Sequence, residues 1–178
     1  MQHFSVLRGR HKGRPAVILG AGPSLPGQIH LIPEGAVRIA VNERPSTLFA
    51  CDYVVFYDHN TKPLVGDLQG EKISPFKDCA DYLLDEEAWF GGFSSTCAAF
   101  IACLAGCSPV ILMGMDLYQG DREYFDDEPG TGFRSSARHW TVKKHMKMWK
   151  EALWRCPDSH VIKAAGGPLV EIFGEYRP

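Results

Sequence analysis

Short apolar runs rich in Val and Ile, AVILG (16–20), VRIAVN (37–42), YVVFYD (53–58), PVILMG (109–114) and HVIKA (160–164), alternate with stretches of helical pattern. Near-continuous branched residues with little polar alternation mark strands buried on both faces, the condition of a parallel sheet covered by helices. Between the runs, SSTCAAFIACLA (94–105) is apolar nearly all round and predicts a deeply packed helix. Residues 138–154 are amphipathic and predict the longest helix. The pattern specifies a Rossmann-like α/β sandwich, with a mostly parallel sheet and helices on both faces.

The length of 178 residues suits a single domain, 1–178, with room for a real core. A formal net charge of -2 argues against a bulk-basic nucleic-acid binder. No apolar run is long enough to be a transmembrane segment, and the basic start MQHFSVLRGRHKGRP lacks the apolar segment of a signal peptide. Cys51, Cys79, Cys97, Cys103, Cys107 and Cys156 are scattered without a Cys-x-x-Cys pair, which favours buried thiols over metal or disulfide roles. A cytoplasmic protein without a metal site is expected.

Two regions lack a stable period. Residues 59–93 combine a short strand near Ile73 with a weak helical pattern over 78–84. Residues 117–136, LYQGDREYFDDEPGTGFRSS, mix glycine, acids and aromatics. A long loop following the Val110–Gly114 strand borders the ligand crevice of an open α/β sheet, so 117–136 is expected to be a mobile lid.

Gly20-Ala21-Gly22-Pro23-Ser24 ends the first long run. Its glycines allow backbone amides to approach an anion, Pro23 suits a first helical turn, and the Ser24 hydroxyl can donate. A plain strand-to-helix connection would use the same residues. The third glycine of a dinucleotide fingerprint is missing, which disfavours NAD although Glu43 stands where a ribose-binding acid would. Asn42 and Asp58 end the next two runs and would face the same crevice, unless they simply form turns. Ser94 and Ser95 open the apolar helix as a cap, and could also direct hydroxyls at a phosphate. His139, Val142, Met146, Trp149 and Leu153 recur at spacings of three and four, so His139 heads the core-facing stripe. A helix N-terminus disfavours imidazolium, leaving a neutral base there, unless the histidine is structural. His145 lies off that stripe and is expected on the surface or flank.

HKGRPAVILGAGPSL, Asn42, FSSTCAAFIACLAGCSPVILMGMDLYQGDREYF and then His139 resemble, in order, the Rossmann-type bacterial sialyltransferases that use CMP-sialic acid. The same segments are similar to the wider group of 6-hydroxymethylpterin diphosphokinase-like proteins. The resemblance implies that Gly20, Gly22, Pro23, Ser24 and Asn42 hold the cytidine nucleotide, helped by Ser94 and Ser95. It implies that Tyr118 and Tyr124, six apart as in that family, hydrogen-bond the leaving phosphate, and that His139 deprotonates the acceptor hydroxyl. This chain has Ala21 where those sialyltransferases carry asparagine, and its loop is shorter than their lid.

The leading expectation is therefore a transferase that moves a sugar from a nucleotide-linked donor, CMP-linked, to a small-molecule or glycan acceptor, with no cofactor required. One alternative is a Mg²⁺-dependent pyrophosphokinase of the pterin type, its metal held by Asp58, Asp116 or the Asp126-Asp127-Glu128 run. Another is a non-catalytic nucleotide-binding relative. No nucleic-acid partner is expected; a homo-oligomer is left open.

Overall fold

The run Ala16–Leu19 (β2) is fully buried and stands near the middle of one sheet. It pairs in parallel with Val37–Val41 (β3) on one side and Val110–Met113 (β7) on the other. The protein is described by a computed structural model that covers residues 1–85, 93–132, 142–153 and 161–178. Gln2–His3 (β1), Tyr53–Val55 (β4), Glu71–Ser74 (β5), Tyr82–Leu83 (β6) and Ile162–Ala164 (β8) complete the sheet. The order is β1-β6-β5-β4-β3-β2-β7-β8, and all pairs are parallel. The expected Rossmann-like sandwich is the observed architecture.

Strand alternation splits the core into two layers. Ala16, Ile18, Val37, Ile39, Val110 and Leu112 face one side. That side is covered by Ser94–Leu104 (α2) and Val142–Leu153 (α3), through Cys97, Ala98, Ile101, Met146 and Trp149. The small residues of α2 let its axis lie close to the sheet. Val17, Leu19, Ile111 and Met113 face the other side, covered more thinly by Leu25–Gln28 (α1), 3-10 turns and loops. Val170–Phe173 (α4) packs beside β8.

One expectation for the sheet changes. The weak helical pattern over 78–84 gives way to strand, because Tyr82 is buried and pairs with both Ile73 and Gln2. The basic N-terminus supplies β1, a two-residue edge strand. The long amphipathic helix is described from Val142, and its predicted start at 138–141 lies outside the described residues. Cys51, Cys97, Cys103 and Cys107 are buried thiols, as expected; Cys79 is only half-buried, and Cys156 lies outside the described residues.

From β2 the chain builds outward through β3, β4, β5 and β6, then returns to place β7 on the opposite flank of β2. The carboxyl ends of β2 and β7 thus form the point where strand order reverses, the place where open α/β sheets leave a crevice.

Candidate functional site

At that reversal two glycines let the strand exits touch. A Cβ on Gly20 would lie 2.5 Å from the Gly114 carbonyl oxygen, and one on Gly114 would lie 2.5 Å from that of Gly20. Asp116, two residues beyond, turns back onto the Gly20–Ser24 turn. Its Oδ2 accepts from the Ser24 N–H at 3.0 Å and from the Ser24 hydroxyl at 2.9 Å. A Cβ on Gly22 would fall 2.0 Å from the same oxygen. Three further backbone donors are engaged here: Gly20 N–H reaches Met113 O, Gly22 N–H reaches Gly114 O, and Leu25 N–H reaches Gly22 O. This turn already holds a carboxylate, and α1 behind it is a single turn whose early proline is Pro26 rather than Pro23.

Asn42 and Asp58 are brought together at the exits of β3 and β4. Asn42 follows β3 with φ 61°, a left-handed conformation that asparagine tolerates. Its Nδ2 donates to Asp58 Oδ2 at 3.3 Å. Its Oδ1 is buried and has no hydrogen-bond partner among the described residues. Glu43 accepts from the Thr61 hydroxyl at 3.2 Å and lies 3.8 Å from Arg44, so it is engaged locally rather than poised over a ribose. Ser94 is not the helix cap, which falls at Phe93 without a side-chain bond. The Ser94 hydroxyl instead accepts from the Tyr57 N–H at 3.1 Å, fixing the β4 exit to the head of α2. Ser95, next along, is half-buried.

The described part of the loop, 117–132, folds over this edge. Leu117 and Tyr118 have φ of 53° and 59°, strained values for bulky residues. Phe125 N–H donates to Ala21 O at 2.9 Å, pinning the loop to the glycine turn. Arg44 lies with its guanidinium 4.1 Å from the centre of the Tyr124 ring and also pairs with Asp126. Glu123 is buried between the tyrosines in sequence, at 5 % exposure. Burial holds the Tyr118 hydroxyl above its ordinary pKa, and the charges of Glu123 and Asp58 push it further. Tyr124 is driven up more strongly, by burial and then its hydrogen bond to Glu123, with Arg44 opposing. Both phenols are thus hydrogen-bond donors at neutral pH.

His139 lies outside the described residues. His145 is described, and corrects the expectation of a surface residue: it is 6 % exposed. Its ring stacks on Phe93 at 4.6 Å and meets Tyr118 edge-on at 5.3 Å. Burial lowers its pKa to about 4, so the ring is neutral. The missed signal is spacing: His145 is three residues after Val142 and four before Trp149, within the width of a core-facing stripe. Arg44 carries no local signal, because the tyrosine it covers is remote in sequence.

Among the described residues no group of three or more His, Cys, Asp or Glu side chains could hold a metal ion. Asp58, Asp116 and Asp126 are engaged separately, by Asn42, Ser24 and Arg44. No described helix is long and apolar enough to cross a membrane.

By sequence, neither a protein-family model nor a curated protein matches the chain. Solved structures do resemble it. The sialyltransferase CstII from Campylobacter jejuni, in complex with cytidine-5'-monophosphate, matches with a TM-score of 0.61 at 15% identity, over 93% of this chain and 86% of that one. CstII in complex with CMP-3FNeuAc gives a TM-score of 0.59 at 16% identity, over 93% and 86%. The monofunctional alpha-2,3-sialyltransferase Cst-I from the same organism gives 0.59 at 18% identity, over 92% and 80%. The chain therefore shares the fold of these sialyltransferases across nearly its whole length.

Proposed function

We propose that this protein is a glycosyltransferase that uses a CMP-linked sugar donor in the manner of a sialyltransferase. The observation that carries the reading is the gathering of Asn42, Asp58, Tyr118 and Tyr124 at one sheet edge, in a fold shared with transferases solved with CMP or a CMP-sugar. Asn42 Oδ1, buried and lacking a described partner, is an acceptor suited to a ribose hydroxyl or an amino group on a base. Asp116 keeps the glycine turn from offering its Ser24 donors to a phosphate, so Gly20, Gly22, Pro23 and Ser24 shape the nucleoside end.

Tyr118 and Tyr124 remain protonated; Tyr118 donates to the phosphate as its charge grows, and Tyr124 does so once its hydroxyl turns from Glu123 to the ligand. The acceptor oxygen forms the new bond to the sugar's anomeric carbon as the carbon–phosphate-oxygen bond breaks, and CMP leaves with that electron pair. His139 takes the acceptor's proton. Ser94 and Ser95 support the phosphate side, and loop 117–136 closes over the donor. No metal or redox cofactor is needed for this displacement.

The test is release of CMP from CMP-sialic acid, with lactose and other glycans as acceptors. Turnover is expected in the wild type and should fall about 10²–10⁴-fold in His139→Ala. Near-normal turnover in that variant would remove His139 from the mechanism.

A further inference from the structure

One flank of α3, beside its sheet-facing stripe, borders a groove of about 1220 Å³. Lys143, Lys144, Lys147 and Lys150 line it over a floor that includes Val142 and Met146. Glu171 of α4 is the one acid among its described lining residues, so these carry a formal charge of +3. The whole chain, by contrast, has a formal net charge of -2. All four lysines are exposed, and the bond of Lys147 to Glu151, 3.6 Å along the helix, is a weak surface pair. Lys143, Lys147 and Lys150 recur at i, i+4 and i+7, placing their stems along about 10 Å of one helix face. At one end the groove reaches Gln119, the residue after Tyr118.

We infer that this groove binds an acidic oligosaccharide, held by its carboxylate or phosphate groups, as the acceptor of the transfer reaction. Concavity suits an extended chain better than a flat bilayer. The apolar floor suits the C–H faces of sugar rings, while the lysines supply charge complementarity along the chain's length. The position of Gln119 leads one end of that chain to Tyr118. The acceptor role rests on the proposed transferase function; the binding itself does not.

The experiment titrates a galacturonate hexasaccharide, and separately neutral maltohexaose, into the full chain without nucleotide, at low and at physiological salt. The acidic hexasaccharide should bind and the neutral one should not, and salt should weaken the binding. Lys143→Gln/Lys147→Gln/Lys150→Gln should reduce affinity about tenfold or more, with CMP affinity and melting temperature unchanged. Glu171→Lys should tighten binding, a gain that a folding defect would not produce. Equal binding of both sugars, or indifference to both variants, overturns the inference. So does binding to phosphatidylglycerol vesicles with no affinity for the soluble hexasaccharide. Loss of CMP turnover with intact hexasaccharide binding would instead remove the transferase reading and leave an acidic-glycan site.

Discussion

Asp116 Oδ2 accepts both the N–H and the hydroxyl of Ser24, at 3.0 and 2.9 Å, and so ties the exit of β7 to the exit of β2. The two strands are neighbours, but the two residues are 92 positions apart. The bond pair closes the crevice's innermost corner and occupies both Ser24 donors.

Removing that carboxylate should be costly. Asp116→Ala leaves two partly buried donors without their shared acceptor, and hydrogen bonds to a charged group contribute about 1.5–3 kcal/mol. The melting temperature should fall by about 3–12 °C, as read by differential scanning calorimetry. An unchanged transition would mean that the carboxylate does not fasten the turn.

Close backbone approach makes a second, sharper contrast. Gly22→Ala would drive its methyl to 2.0 Å from Asp116 Oδ2 and 2.6 Å from Gly114 O, so the turn must open. Gly27→Ala, inside α1, meets nothing within 4 Å. Urea unfolding should show Gly22→Ala strongly destabilised and Gly27→Ala neutral or stabilised by about 0.5–1 kcal/mol.

His145 gives the fold a pH dependence with a defined sign. Its ordinary pKa of 6.5 is lowered by burial to about 4. Between those values the unfolded chain binds a proton that the folded one does not, so stability falls as pH drops through that window. The slope from this group is at most about 1.4 kcal/mol per pH unit. Urea midpoints from pH 7.5 down to pH 4 should fall more steeply in wild type than in His145→Phe, which keeps a ring against Phe93 and Tyr118. Equal slopes would show that the ring titrates normally in the folded protein.

These sites differ in how much of them the sequence discloses. The strands containing Ala16–Leu19 and Val110–Met113 are legible because burial on both faces leaves an unbroken apolar run. Once those are placed, topology brings Asn42 and Asp58 to one edge. Gln2–His3 and Tyr82–Leu83 are not legible, since two-residue strands acquire their conformation from pairing rather than pattern. His145 is less legible because the buried face of α3 is wider than the stripe through Val142, Met146 and Trp149. The seating of Arg44 on Tyr124, and the closing of the glycine turn by Asp116, depend on tertiary approach between distant segments, to which local periodicity is blind.

The central claim, that a cytidine nucleotide is held between Asn42 and the tyrosine pair, is tested most directly by calorimetric titration of CMP into the wild type, Asn42→Ala and Tyr118→Phe/Tyr124→Phe. CMP should bind the wild type in preference to UDP, GDP and ATP. Loss of neutral hydrogen bonds should weaken binding in the variants by about 0.5–1.5 kcal/mol for each bond removed. No heat from CMP or CDP alongside clear binding of ATP, or equal CMP affinity in all three proteins, would contradict the account.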